Sequence, residues 1–237
     1  MQEIRRSAER GYADYGWLKS YHSFSFADYF DPGHVDFGPL CVINEDRVQP
    51  GAGFGTHAHR DMEILSYVLS GALSHKDSMG NGSTIRRGDV QRMSAGRGVQ
   101  HSEFNGSNSE PVHFLQVWIT PERRGIESSY EERHFDAAER RGRLRLIASP
   151  DRAAGSVLIH QDARVYAGLF DGEETATLEV AAGRRVYVHV ASGDINVNGA
   201  ALSSGDALKL TDTGVVALRD GRQAELLLFD LPAAAAS

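Results

Sequence analysis

Two short runs in this chain carry metal-ligating residue types at β-strand spacing. The first is Gly53-Phe54-Gly55-Thr56-His57-Ala58-His59, and the second is Gly96-Arg97-Gly98-Val99-Gln100-His101-Ser102-Glu103. On a strand, residues i and i+2 point to the same face, so His57 with His59, and His101 with Glu103, each send two ligands into one interior. On a helix the same pairs lie on nearly opposite sides and could not grip one ion. The Gly-rich stretch before each pair suits a strand entered from a turn. Three imidazoles and one carboxylate suit zinc, copper, iron or nickel rather than calcium or magnesium, which take oxygen donors. In a chain with 10 histidines a lone His-x-His is weak evidence, and the competing reading is polar residues satisfied along a strand. The His-x-Glu pair, at a separation that leaves room for intervening strands, favours the metal site.

The elements that must position these residues read as β-strands. Candidates in the first half are 40–44, 62–70, 72–75, 83–86, 89–93, 101–104 and 112–119, separated by turn sequences such as Ser70-Gly71, Gly80-Asn81-Gly82 and Arg87-Gly88-Asp89. From Thr120 to Arg143 the chain is charged and irregular. Its one expected helix lies at Asp136-Ala137-Ala138-Glu139, where Asp136 caps and Glu139 reciprocates. Strand rhythm resumes at 144–148, 157–160, 165–170, 177–180, 185–190, 194–197, 207–210, 215–219 and 225–229, with turns at Ser192-Gly193-Asp194, Asn198-Gly199, Ser204-Gly205-Asp206 and Asp220-Gly221. The echo suggests two copies of one β unit, divided near residue 130, the second without either ligand pair. His160 and His189 then read as strand or surface histidines, and residues 233–236 as a frayed tail.

Composition narrows the function. A net charge of −7 and a pI near 5.8 argue against phosphate-backbone binding, so nucleic acid is not an expected direct partner. The single cysteine, Cys41, lies in the apolar run 40–43 and reads as a small buried residue. No run approaches membrane-spanning length and no apolar stretch follows Arg5-Arg6, so a cytoplasmic protein is expected.

These residues also resemble a family. Gly-x5-His-x-His-x3-Glu from Gly51 to Glu63, followed by Tyr67-Val68-Leu69-Ser70-Gly71, is similar to the first cupin motif, and the stretch from Gly88 to Asn105 resembles the second. Ser94 stands where the general pattern has Pro, and four residues rather than two separate Gly96 from His101. Those departures, with Ser20-Tyr21-His22-Ser23-Phe24, the run from His75 to Gly82 and Leu115-Gln116-Val117-Trp118, resemble the pirin branch of the cupins. The resemblance implies an all-β bicupin: two jelly-roll-like barrels with few short helices, 1–130 binding metal and 131–237 metal-free. It implies that His57, His59, His101 and Glu103 hold one divalent ion, most often Fe2+, with Zn, Ni, Cu, Co or Mn as alternatives. It further implies quercetin 2,3-dioxygenase activity, with a small aromatic flavonol and O2 as partners. The alternative within the same family is a metal-bearing regulatory or redox-sensing protein that acts on a protein partner.

Four protein ligands on an ion that prefers six leave two positions for substrate and O2, which favours oxygenase chemistry over a structural role. Flavonol cleavage requires loss of a hydroxyl proton, and Glu103 is the first candidate base. Were the strand from His57 to run on without a bulge, residues 57, 59, 61 and 63 would all face inward, and Asp61 and Glu63 would supply carboxylates that orient an imidazole. The competing readings are a turn residue for Asp61 and a strand-face ion pair for Glu63. Phe54 is either an ordinary core aromatic or part of the pocket mouth. For His75 and His113, structural roles and roles behind the ligands stand equal.

Overall fold

The computed structural model describes residues 1–233, so residues 234–236 of the expected tail lie outside it. The chain forms two compact β units. One comprises Gly11–His134 with Val157–Gln161, the other Met1–Arg10, Phe135–Ser156 and Asp162–Ser237 as far as residue 233. A single cut near residue 130 describes this division only in part, because the first ten residues belong with the C-terminal half. There Gln2–Arg5 pairs antiparallel with Ala207–Thr211. Lys209 bridges to Glu3 at 2.9 Å, and Asp206 accepts from Arg6 Nη1 and the Ser7 N–H, both at 2.7 Å.

The unit that contains the candidate ligands is built from two antiparallel sheets. A four-stranded sheet runs in the order Gly53–His59, Val99–Asn105, Ala72–Asp77, Gly82–Arg86. A seven-stranded sheet runs Ser129–His134, Asp89–Ser94, Glu63–Ser70, Val112–Ile119, Leu40–Val48, Leu18–His22, Gly11–Asp14. Alternation along these strands turns Leu18, Val48, Val68, Leu73, Ile85, Val112 and Phe114 into one shared core, the arrangement that lets two pleated faces bury each other. Ile64, Met93, Ala95 and Val99 form a second cluster.

In the other unit the strands run Gln2–Arg5, Ala207–Thr211, Arg185–Val197, Val215–Leu231, Arg164–Phe170, Leu144–Ser149. Its interior is mostly Val, Leu and Ile, including Val186, Val188, Val190, Leu208, Leu226 and Leu228, with Phe170 among them. The expected helix is present as Ala137–Arg140, with the Glu139 carboxylate accepting the Asp136 N–H at 3.0 Å. His189 lies wholly buried on its strand.

Several elements differ from the sequence reading for identifiable reasons. The strands expected at 185–190 and 194–197 are one strand, Arg185–Val197, as are those at 215–219 and 225–229, now Val215–Leu231. The turn-like residues between them absorb register shifts within a continuous ladder: Gly193 has φ +70°, Asp220 +56° and Gln223 +47°. Strands at Gln2–Arg5, Gly11–Asp14, Leu18–His22, Ser129–His134 and Ala200–Ser203 escaped the reading because they are short and polar on the outer face. The 157–160 strand shrinks to Val157–Leu158. Cys41 is only half-buried, its thiol against Met62 and the Trp118 carbonyl.

One register shift matters for function. His101 pairs with His57, but Glu103 pairs with Phe54, so the strand Gly53–His59 carries an extra residue opposite Ser102. The bulge lets Phe54, His57 and His59 line one cavity although 54 and 57 differ in parity. Gly53 seats the bulged strand: a Cβ there would overlap the Glu103 carbonyl oxygen and meet Phe104 Cα at 2.5 Å. Gly53→Ala should therefore destabilise the protein by about 1–3 kcal/mol, whereas Gly55→Ala, whose Cβ meets nothing within 4 Å, should stay within about 0.5 kcal/mol of wild type. Denaturant unfolding of the two variants checks this, and equal losses would remove the special role of Gly53.

Candidate active site

His57, His59 and His101 come together at the inner face of the four-stranded sheet. Their nearest ligand atoms all lie within 4.8 Å of one another, and the ring centroids are 4.5 to 4.9 Å apart. His75, His101 and Glu103 form a second, overlapping set within the same limit. The four residues singled out from the sequence are thus neighbours, with Glu103 reached through His101, and His75 joins them from the adjacent strand.

Two of the imidazoles, His57 and His101, have a polar partner behind the ring, and His59 packs edge-on against Trp118. Gly55 O lies 2.8 Å from His57 Nδ1, which makes that nitrogen the protonated one and leaves the Nε2 lone pair facing His101 Nε2 at 3.1 Å. Two nitrogens held about 2.1 Å from one ion at a right angle stand about 3.0 Å apart, so this separation fits a shared ion. Behind His101, its Nδ1 lies 3.4 Å from His75 Nδ1, and His75 Nε2 lies 3.1 Å from Asp77 Oδ2. Asp77 is itself pinned by the backbone N–H groups of Met79 and Asn81 and by Asn81 Nδ2. Tyr130 stacks on His75 at 4.9 Å. A carboxylate at the end of such a chain fixes ring orientation and tautomer, which is how imidazole ligands are held ready for a metal.

Glu103 is held from the opposite sheet. Ser66 Oγ donates to Oε1 at 3.1 Å, and Gln116 Nε2 donates to Oε2 at 2.8 Å. Gln116 Oε1 in turn accepts from Trp118 Nε1 at 3.2 Å, which sets the amide orientation. Sequence reasoning missed Ser66 and Gln116 as site residues. Their signal was a polar side chain inside an otherwise apolar strand run.

The two carboxylates expected to orient the ligands do other work. The strand Gly53–His59 ends at His59, and Asp61 occupies the turn beyond it at φ +51°, its Oδ1 accepting the Gly125 N–H at 2.6 Å. The chain then crosses to the seven-stranded sheet, where Glu63 is fully buried and its Oε2 accepts from Ser94 Oγ at 2.8 Å and from the His160 N–H at 3.2 Å. His160 Nδ1 lies 3.3 Å from the same oxygen, so His160 is a partner of Glu63 rather than an isolated strand histidine. Alternation could not continue from 57 to 63 because a turn and a change of sheet intervene. His113 pairs with Glu45 at 3.0 Å.

The site opens into a cavity of about 320 Å³. Trp17, Phe54, Phe26 and Trp118 supply aromatic walls, with Trp17 edge-on to Phe54 at 5.4 Å and Trp118 edge-on to His59 at 4.9 Å. Phe54 therefore meets both expectations, lining the cavity while packing against the core cluster. Burial pushes the His101 imidazole down to about 3, aided by His57 and His59, and burial followed by His57 pushes His59 down to about 4. Burial raises the Glu103 carboxyl, partly offset by His75, Ser66 and Gln116. Burial also raises Asp46, to about 7, against a hydrogen bond from Ser20 and with help from Glu103 and Glu45.

Comparison with known proteins places this architecture. Residues 3–119 match the pirin family, and residues 146–231 match the quercetinase C-terminal cupin domain. A quercetin 2,3-dioxygenase of Escherichia coli K12 is 45% identical over 229 residues, covering 97% of this chain and 98% of the relative. The chain belongs to the pirin family of cupins. The crystal structure of YhhW from Escherichia coli superposes with a TM-score of 0.95 at 44% identity, covering 100% of both chains. A second structure, of the bacterial pirin YhhW in complex with nickel(II), gives a TM-score of 0.94 at 44% identity, covering 99% of this chain and 100% of that one. No helix among the described residues is long and apolar enough to cross a membrane.

The opposed shifts give a pH test on metal-free protein. His101 is held neutral below its ordinary 6.5, so its stabilising contribution is full above about pH 6.5 and is lost as pH falls toward 3. Asp46, raised from 3.8 to about 7, contributes fully below about pH 4 and loses that contribution as pH rises through 7. Thermal unfolding across pH 4–8 should show the stability of wild type relative to His101→Gln shrinking on acidification, while that relative to Asp46→Asn grows. Parallel pH profiles for all three proteins would contradict both assignments.

Proposed function

We propose that this pirin-family chain holds one divalent metal ion through His57, His59, His101 and Glu103, physiologically Fe2+, and cleaves quercetin or a related flavonol with O2. The observation that carries this reading is the convergence of three imidazoles beside a buried carboxylate at the edge of an aromatic-walled cavity. The names of the relatives support it, as does the nickel(II) complex of a bacterial pirin at 44% identity. All four ligands belong to the N-terminal half, and in this reading the C-terminal half is a metal-free barrel. When bound, the ion supplies Lewis acidity and one-electron chemistry toward O2.

The chain's own residues do the rest. Trp17, Phe54 and Trp118 accept a flat aromatic ring system and keep bulk water from it. Glu103 takes the proton of the flavonol hydroxyl, a transfer helped by burial, which raises its affinity for a proton. Ser66 and Gln116 hold the carboxylate in place while it does so. Asp77 and His75 keep His101 presented.

Elemental analysis of His57→Ala and His101→Ala should show near-complete loss of metal, and full occupancy in either would sink the ligand assignment. Iron- and nickel-loaded wild type should consume quercetin and O2 aerobically while metal-stripped protein does not. Glu103→Gln keeps an oxygen donor but removes the base, so turnover of the reconstituted variant should fall by on the order of a hundredfold or more. If loaded wild type leaves quercetin intact, the enzyme reading fails and action on a protein partner becomes the better account.

A further inference from the structure

The seven-stranded sheet turns a polar stripe toward the same cavity. Ser20 and His22 alternate on Leu18–His22, and Asn44 and Asp46 alternate on Leu40–Val48, with Ser20 paired across to Asp46 and His22 to Asn44. All four are buried, their exposures between 2% and 5%. His22 Nδ1 sits 2.8 Å from Asn44 Oδ1, and Ser20 Oγ 3.5 Å from the same nitrogen. Ser20 lies beside Asp46 and favours its ionised form. Among the described residues, however, no donor reaches Asp46 Oδ1.

A buried carboxylate oxygen without a donor is costly, and folded proteins leave few of them. In a cavity otherwise walled by aromatic rings, a convergent polar atom of this kind is where a ligand's own donor belongs. A carboxylate asks for O–H or N–H, and Trp17, Phe54 and Trp118 ask for a flat aromatic body. The two demands together describe a phenol.

We propose that Asp46 determines specificity by accepting the hydrogen of a phenolic hydroxyl on the substrate, at the wall across from His57, His59 and Glu103. This deepens the flavonol reading of the site and rests on it. The hydroxyl recognised here is a second one, distinct from that deprotonated by Glu103, so the site selects polyhydroxylated over bare ring systems. A site built to pair a substrate hydroxyl discriminates strongly against an analogue lacking it, because its own polar group is then left unpaired.

The test compares two probes, quercetin and 3-hydroxyflavone, which keeps the hydroxyl beside the carbonyl and lacks every phenolic one. Dissociation constants are measured by calorimetry on nickel-loaded and on metal-stripped protein, for wild type, Asp46→Asn and Asp46→Ala, with aerobic turnover of both compounds followed in parallel on iron-loaded protein. Wild type should prefer quercetin by on the order of ten- to a hundredfold. In Asp46→Ala that ratio should collapse toward one, and Asp46→Asn, which keeps a neutral acceptor, should fall between. Thermal unfolding verifies that the variants are folded, and should Asp46→Ala not fold, the ratio in Asp46→Asn decides. An unchanged ratio in the folded variants, or no preference or no binding in wild type, overturns the inference. A wild-type preference that collapses on substitution, without turnover of either compound, supports the role of Asp46 and overturns the dioxygenase reading instead, so the two failures are distinguishable.

Discussion

The carboxylate of Glu103 is carried by the four-stranded sheet and held by the seven-stranded one, through Ser66 and Gln116, and this cross-sheet pairing is the constraint around which the rest of the site is arranged. A carboxylate as buried as this must be compensated by donors or by a cation, and both donors come from strands that otherwise contribute Leu, Val and Ile to the core. Removing either donor would cost one carboxylate oxygen that hydrogen bond in a low-dielectric interior. The bulge opposite Ser102 then brings His57 and Phe54 to the face on which Glu103 already lies.

Polar groups in the barrel are arranged in tiers. The imidazoles form one tier, and behind them stand Gly55 O, His75 and Asp77, the last tied to backbone N–H groups at a tight turn. Every orienting hydrogen bond costs side-chain freedom, so the rigidity of strands and turns is what makes such a network affordable. Glu63 and His160 show the same economy put to another use, for buried Glu63 and Ser94 join half-buried His160 in a cluster that ties Val157–Gln161 to the strands of this unit.

The C-terminal unit makes an instructive contrast. It is again an antiparallel β structure with bulged strands, yet branched aliphatic residues dominate its core cluster. The apolar part of such a core is stabilised by burial and close packing. A deeply buried ion pair, Arg140 with Glu225 at 3.0 Å, joins the short helix to the strand Val215–Leu231.

The sequence by itself determined the β character and the strand positions that carry apolar alternation, and it pointed to the pairs His57 with His59 and His101 with Glu103, which the fold brings together, because strand parity is a local property that spacing reveals. It also carried the helix at Ala137–Arg140, whose capping residues lie three apart. Tertiary structure alone decided what faces these residues. That Glu63 belongs to the other sheet, that Asp61 turns the chain at positive φ, that Gln116 and Asp46 line one cavity from separate strands, and that Ser66 and His75 stand behind Glu103 and His101 all depend on pairing between distant segments. Parity also misled where a bulge inserted one residue, since alternation along a strand holds only while the ladder is unbroken. Long-range register, not composition, sets which polar side chain meets which, and no single stretch of chain encodes it.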